Sequence, residues 1–225
     1  MRLNELGQPI GELVGDWKAP PVPPRDLMHG RYCRLEPLAS PHARDLWDAN
    51  AHDGEHRNWT YLPYGPFRTF EEYAAWVEHA GATADPMFFA VITTAPAGVA
   101  SYLRIAPDAG SIEVGHINFS PLLQRTPAAT EAMYLMMKRA FALGYRRYEW
   151  KCDALNAPSR RAAERLGLRY EGTFRQATVY KGRNRDTAWY AAIDKEWPDL
   201  RARFERWLDP ENFDADGKQR SRLGA

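Results

Sequence analysis

Apolar positions along the chain recur with two periods, which divide it into strand-like and helix-like stretches. "GRYCRLEPL" (30–38) alternates polar and apolar residues and predicts a first strand. "SPHARDLWDANAHD" (40–53) opens with a Ser cap and a Pro at the first helical position, a helix start. "TFEEYAAWVEHAGA" (69–82) has Thr69 at the cap and Glu72 three residues on, a capping box, and repeats Phe70, Tyr73, Ala74 and Val77 at helical spacing. Three strand-like runs follow, "MFFAVITT" (87–94), "GVASYLRIAP" (98–107) and "SIEVGHINFS" (111–120). Their short turns favour an antiparallel meander. A helix from Pro127 to the stop at Gly144 carries an inner stripe of Ala129, Ala132, Met136, Ala140 and Leu143. "YRRYEWKCD" (145–153) reads as a strand and "NAPSRRAAERLG" (156–167) as a helix. "LRYEGTFRQATVY" and "DTAWYAAI" read as strands joined by the turn "KGRNR", and 195–208 as a closing helix. Trp150 and Trp189 are expected in the core.

The order is one strand, two helices, three strands, then helices linked by strands. It predicts a single α+β domain with a mixed sheet over 30–208. Residues 1–29 form an arm whose "WKAPPVPPRD" (17–26) favours extended polyproline geometry. Trp17 and Val22 either pack on the body or on a partner subunit, or the arm is a floppy leader. Residues 209–225 read as a polar tail.

Composition narrows the function classes. The 225 residues are 44% hydrophobic and 12% aromatic, enough for one sizeable core. Thirty basic against 29 acidic residues leave a net +1, which argues against a broad nucleic-acid footprint. Two cysteines, Cys33 and Cys152, form no CxxC or metal-ligand spacing and suit a reduced, intracellular protein. The start lacks a signal-peptide pattern, and no apolar run approaches the roughly 20 residues of a membrane helix. A soluble, cytoplasmic protein that needs neither metal nor membrane is expected.

Two stretches carry candidate chemistry. In "LLQRTPAATEA" (122–132), Thr126 is a good N-cap and Pro127 a good first helical residue. The amides of Ala128, Ala129 and Thr130 would then point out of the helix end, where they and the helix dipole attract an anion, with Arg125 at the rim. The plainer reading is a capped helix start. In "ALNAPSRRAAERLGLRYEG", Asn156, Ser159 and Arg160 or Arg161 either hydrogen-bond a polar ligand or cap and solvate a first turn.

In this order the two stretches resemble the GNAT superfamily of acyl-CoA-dependent N-acyltransferases over roughly residues 30–200. The family's pyrophosphate loop, Q/R-x-x-G-x-G/A, is met here by Gln124-Arg125-Thr126-Pro127-Ala128-Ala129, with proline at the central glycine. "ATEA", N-x-x-S and "RLGLRYEG" look like the RimJ/RimL branch. The resemblance implies a mixed, mostly antiparallel central sheet flanked by helices, with its fourth and fifth strands (111–120 and 145–153) parallel and splayed. It implies acetyl-CoA as acyl donor, its pyrophosphate on the backbone of Arg125 to Thr130, its pantetheine beside Phe119 and Ser120, and Asn156 and Ser159 further along. Glu113 matches a fourth-strand base in some members; a structural ion pair is the alternative. Strict alternation places His116 on the face opposite Glu113, as a packed histidine. The Tyr that many members use as acid is Ala163 here, which leaves the N-x-x-S serine, Ser159, to serve the leaving sulfur or only to hold pantetheine. The acceptor would lie under "NWTYLPYGPF" and the final hairpin, with Trp59, Tyr61, Tyr64 and Arg183, alongside Arg185 and Asp186, as candidates. It would be a primary amine of a small molecule or a protein N-terminus. A non-catalytic acyl-CoA-binding sensor or subunit is the alternative function, and a homodimer built with the arm is a possible assembly.

Overall fold

The computed structural model describes residues 2–224; Met1 of the arm and Ala225 of the tail lie outside the described residues. A small antiparallel hairpin, β1 (Arg2–Leu3) and β2 (Pro9–Ile10), starts the chain. The main elements are β3 (Met28–His29), β4 (Arg34–Pro37), α1 (Ala43–Asn50), α2 (Phe70–Ala82), β5 (Met87–Ile92), β6 (Pro96–Ala106), β7 (Ser111–Phe119), α3 (Pro127–Ala142), β8 (Arg147–Asp153), α4 (Ala157–Arg165), β9 (Arg169–Tyr180), β10 (Arg183–Ile193) and α5 (Trp197–Trp207). One eight-stranded sheet runs β3-β4-β5-β6-β7-β8-β10-β9. Every pairing in it is antiparallel except β7 with β8. The fold is the α+β mixed sheet expected, with the fourth and fifth expected strands as its parallel pair.

Helices cover both faces, and β5 shows how one strand serves two cores. Met87, Phe89 and Val91 join α3 in the larger core, whereas Phe88, Ala90 and Ile92 join α1 and α2 in the smaller one. A strand buried on both sides has no polar face, hence the unbroken apolar run. Helix α3 is buried over most of its surface, including Ala132, Met136 and Ala140 of the expected stripe.

Several local expectations change. The first strand is split: Gly30 to Cys33 form a turn between β3 and β4. Glu131 of α3 causes the split, because its buried carboxylate accepts the backbone N–H of Arg31 (2.7 Å), Tyr32 (2.6 Å) and Cys33 (2.9 Å). A Cβ on Gly30 would stand 2.3 Å from the Glu131 Oε2 atom, so only glycine fits there. Ser40 does not cap a helix; Ser40–His42 form a 3-10 turn that leads into α1 without a side-chain cap. At α2, Thr69 does cap, accepting the Glu72 N–H at 3.3 Å, but the Glu72 side chain reaches the Arg68 N–H instead of closing the box. The last hairpin turns on Lys181 and Gly182, both at positive φ, which suits a tight two-residue turn.

The arm is docked from Trp17 onward. Its prolines lack donors, so their carbonyls receive bonds from the body. Tyr145 donates to Pro21, and Arg139 donates to Pro24, Asp26 and Leu27 and pairs with Asp26 at 2.6 Å. Trp17 donates to the Gly144 carbonyl, whereas Val22 is exposed. The tail is also held: Trp207 donates to Gln219 at 2.8 Å and Leu223 is buried.

Candidate active site

The site opens where β7 and β8 part. They pair in register from Ser111 opposite Arg147 to Val114 opposite Trp150, and the pairing stops there. A bulge in β7 follows at once. Against β6, the two-residue step from Val99 to Ser101 is matched by three residues from Asn118 to Gly115, and His116 takes φ 51°. One extra residue bends a strand and breaks its alternation. The expectation that His116 faces away from Glu113 is therefore overturned. Both line one cavity of about 470 Å³, with Trp150, Lys151, Asn156 and Ser159.

A second bulge supplies a charge. Arg104 takes φ 46°, and the Asp85 carboxylate accepts the Arg104 and Ile105 N–H groups, both at 3.0 Å. Arg104 then donates to the Glu113 Oε2 atom at 2.7 Å, which Lys151 Nζ approaches at 3.0 Å. Lys151 also pairs with Glu149 at 2.7 Å and lies 3.6 Å above the Trp189 ring. Arg147 bonds Glu149 at 2.6 Å and closes the row by pairing with Glu171. Burial pushes the Glu113 carboxyl above its ordinary range, with Lys151 and Arg104 opposing that shift. At Glu149 burial acts the same way, but Arg147 and Lys151 overcome it and hold the carboxyl low.

His116 stacks on Tyr64, with ring centroids 5.6 Å apart, and its Nδ1 lies 3.2 Å from the Tyr64 hydroxyl. Burial, then the positive charges of Arg104 and Arg185, lower its pKa to about 4, so the ring is neutral at physiological pH. On the other side of the sheet, Asn156 caps α4 by accepting the Ser159 N–H at 3.1 Å, and Trp150 donates its indole N–H to the Ser159 hydroxyl at 3.0 Å. That hydroxyl keeps its proton to give.

At the start of α3 the Thr126 cap forms as expected, accepting the Ala129 N–H at 3.2 Å. This removes Ala129 from the three amides expected to be free. Pro127 has none, which leaves Ala128 as the open donor of the first turn. Arg125 takes the left-handed conformation, φ 62°, that a loop glycine would otherwise supply.

An acetyltransferase (GNAT) domain profile matches residues 33–169. The chain belongs to the GNAT acetyltransferase family. A GCN5-related N-acetyltransferase from Brucella melitensis is 47% identical, with a TM-score of 0.91 over 93% of this chain and 97% of that one. A probable GNAT-family acetyltransferase from Chromobacterium violaceum is 40% identical, with a TM-score of 0.79 over 85% and 98%. The fold alone is shared with Mycobacterium smegmatis RimJ in complex with CoA-disulfide, 17% identical, TM-score 0.67 over 77% and 90%. No protein of curated function matches the sequence. GNAT enzymes use acetyl-CoA as acyl donor.

In this GNAT protein the expected site residues divide into groups. Glu113, Asn156, Ser159 and Tyr61 share the cavity. Phe119, Ser120, Gln124, Arg125, Thr126, Ala128, Ala129 and Thr130 lie outside its lining, along the end of β7 and the start of α3. Gln124 is exposed, and its side chain donates to Asn58 and, at 2.7 Å, to the Phe119 carbonyl. Thr130 is buried and its hydroxyl accepts from Arg165. Arg160 donates to the Tyr190 hydroxyl at 3.0 Å, away from the cavity. Trp59 is an anchor, buried against Tyr64, Phe67 and Tyr73. Arg183 is exposed and outside the lining, whereas Arg185, two residues on, is part of it. Trp150 is buried as expected, whereas Trp189 is only half-buried and forms cavity wall. Lys151 and Arg104 were missed, although "YEWKCD" sets Glu149 and Lys151 on one strand face opposite Tyr148, Trp150 and Cys152.

Proposed function

We propose that this protein is a RimJ/RimL-like N-acetyltransferase of the cytoplasm. It transfers an acetyl or other short acyl group from acyl-CoA to a primary amine of a small molecule or a protein N-terminus. The observation that carries this reading is the bulge at His116, which opens a cavity between the parted strands and puts Glu113 and Ser159 on its wall. The chain offers fitting groups for CoA. Ala128 presents an open amide at a helix start, and the Ser120 hydroxyl is buried without a partner among the described residues. The "ATEA" and N-x-x-S motifs support the branch, and two buried free cysteines accord with a reducing compartment.

Acetyl-CoA supplies the acyl group as an activated thioester. An amine attacks only when neutral, so the acceptor must lose a proton. Both cations on Glu113 approach its Oε2 atom, which leaves Oε1 to take that proton directly or through water. As the new C–N bond forms and the C–S bond breaks, Ser159 is placed to give its hydroxyl proton to the departing sulfur.

Thermal shift with acetyl-CoA, CoA and ATP, followed by free-thiol release across an amine panel, tests the reading. Stabilisation by the two CoA compounds alone and thiol release with at least one amine is the expected result. CoA binding without thiol release from any amine would instead support a non-catalytic sensor or subunit.

A further inference from the structure

The cavity has one cation that no carboxylate holds. Arg185 lines it from β10, its guanidinium lies 5.9 Å from the centre of the Tyr180 ring, its Nε is buried without a partner, and it takes part in none of the ion pairs among the described residues. The Trp189 Nε1 atom, on the same strand face two side chains along, is also buried and unpaired. A buried donor without an acceptor is costly, and native proteins keep few of them. Both donors belong to residues of the cavity wall, and a ligand that accepts hydrogen bonds would pair them once the side chains turn toward it.

The charge balance states which kind. The lining holds three cations, Arg104, Lys151 and Arg185, against two carboxylates, Glu113 and Asp153. His116 is neutral at physiological pH, which leaves a single positive charge in excess. Arg104 and Lys151 are spent on Glu113, and Asp153 accepts from Tyr180 and from the Leu155 N–H, both at 2.8 Å. Arg185 is the lining cation that pairs with no carboxylate among the described residues. A phosphate dianion would over-neutralise it, whereas an amino acid with its amine neutral carries one negative charge. Among its polar groups the wall also carries apolar side chains, Leu62, Leu103, Phe174 and Val179.

We propose that Arg185 binds the carboxylate of the acceptor, so that the enzyme acylates amines bearing a carboxylate on an apolar body. This rests on the cavity being the acceptor site of the acyltransferase proposed above. A guanidinium fork matches a carboxylate in two parallel hydrogen bonds, which lysine cannot reproduce.

The test is equilibrium titration, in the presence of CoA, of N-acetyl-leucine, -methionine, -phenylalanine and -tryptophan against the corresponding amides. These product analogues have no free amine, so amine ionisation does not enter. Wild type should bind at least one acid tenfold or more tighter than its amide. Arg185→Met should erase the difference, Arg185→Lys should restore part of it, and CoA affinity should stay at the wild-type value in both. Equal affinity for acids and amides, no binding of any acid, or an acid preference that survives in Arg185→Met would each overturn the proposal. Turnover on matched acceptors separates this failure from failure of acyl transfer. Thiol release with carboxylate-free amines as fast as with amino acids keeps the transferase and removes the carboxylate site. An Arg185-dependent acid preference without thiol release does the reverse.

Discussion

Glu113 and Glu131 are both carboxylates deep inside the protein, 3% and 5% exposed, and they are held in opposite ways. Glu131 receives three backbone N–H groups of one turn. Its partners are fixed dipoles that have nowhere else to go, so the charge serves as a clamp between α3 and the first strands. Glu113 is compensated by two long cationic side chains that meet one of its oxygens, and it borders a cavity. Burial alone does not distinguish a structural carboxylate from a working one. The distinction lies in whether the partners saturate the group and whether it borders open space.

The sharpest way to break the comparison is Glu113→Gln. If Glu113 takes the amine proton, kcat should fall by about 10²–10⁴-fold, the usual worth of a general base, with CoA affinity unchanged. A rate within threefold of wild type across pH would remove it from that role. Glu131→Ala should act on stability. It strands three amides, one buried and two part-buried, and should cost about 3–5 kcal/mol in chemical denaturation, with surviving folded protein still binding CoA.

A smaller effect concerns pH. If Glu113 is the base it acts only when ionised, so kcat should then drop as pH falls through its pKa, which burial sets above 4.5. The same shift acts on stability with the opposite sense. The folded state holds this proton more tightly than the unfolded chain, so stability should decline as pH rises from 4.5 through the raised value. Lys151→Met removes an opposing cation and should move the acid limb of the kcat profile to higher pH. A limb that stays in place would show that Lys151 does not tune Glu113. Ser159→Ala should lower kcat about tenfold, the worth of one hydrogen bond to the leaving group. Tyr64→Phe should change least, with a loss of about 1 kcal/mol in thermal or chemical unfolding for its bond to His116.

Much of the scaffold was legible because local chemistry decided it. Thr69 and Thr126 cap as read, Pro127 begins its helix, and the continuous run of β5 became a strand buried on both sides. The misreadings are long-range in origin. "GRYC" alternates like a strand, and only a glutamate 100 residues later turns it aside. The bulge in β7 left no local trace, since the residue at positive φ is His116 and the glycine beside it is not the one that turns. Arg104 and Lys151 could not be joined to Glu113 without the register of β6, β7 and β8. Glu113, Ser159 and Asn156 were found through the order of motifs. Arg183 and Arg185 share one strand face, and the hairpin's sequence does not say how far along it the cavity reaches.

The Glu131 clamp also orders events during synthesis. The turn it closes is made some 100 residues before the carboxylate that satisfies it. While the chain is emerging from the ribosome, residues 31–33 have only water for their amides, and β3 has no firm junction with β4. One of the earliest strands to be translated is thus among the later ones to be finished, and it waits for α3.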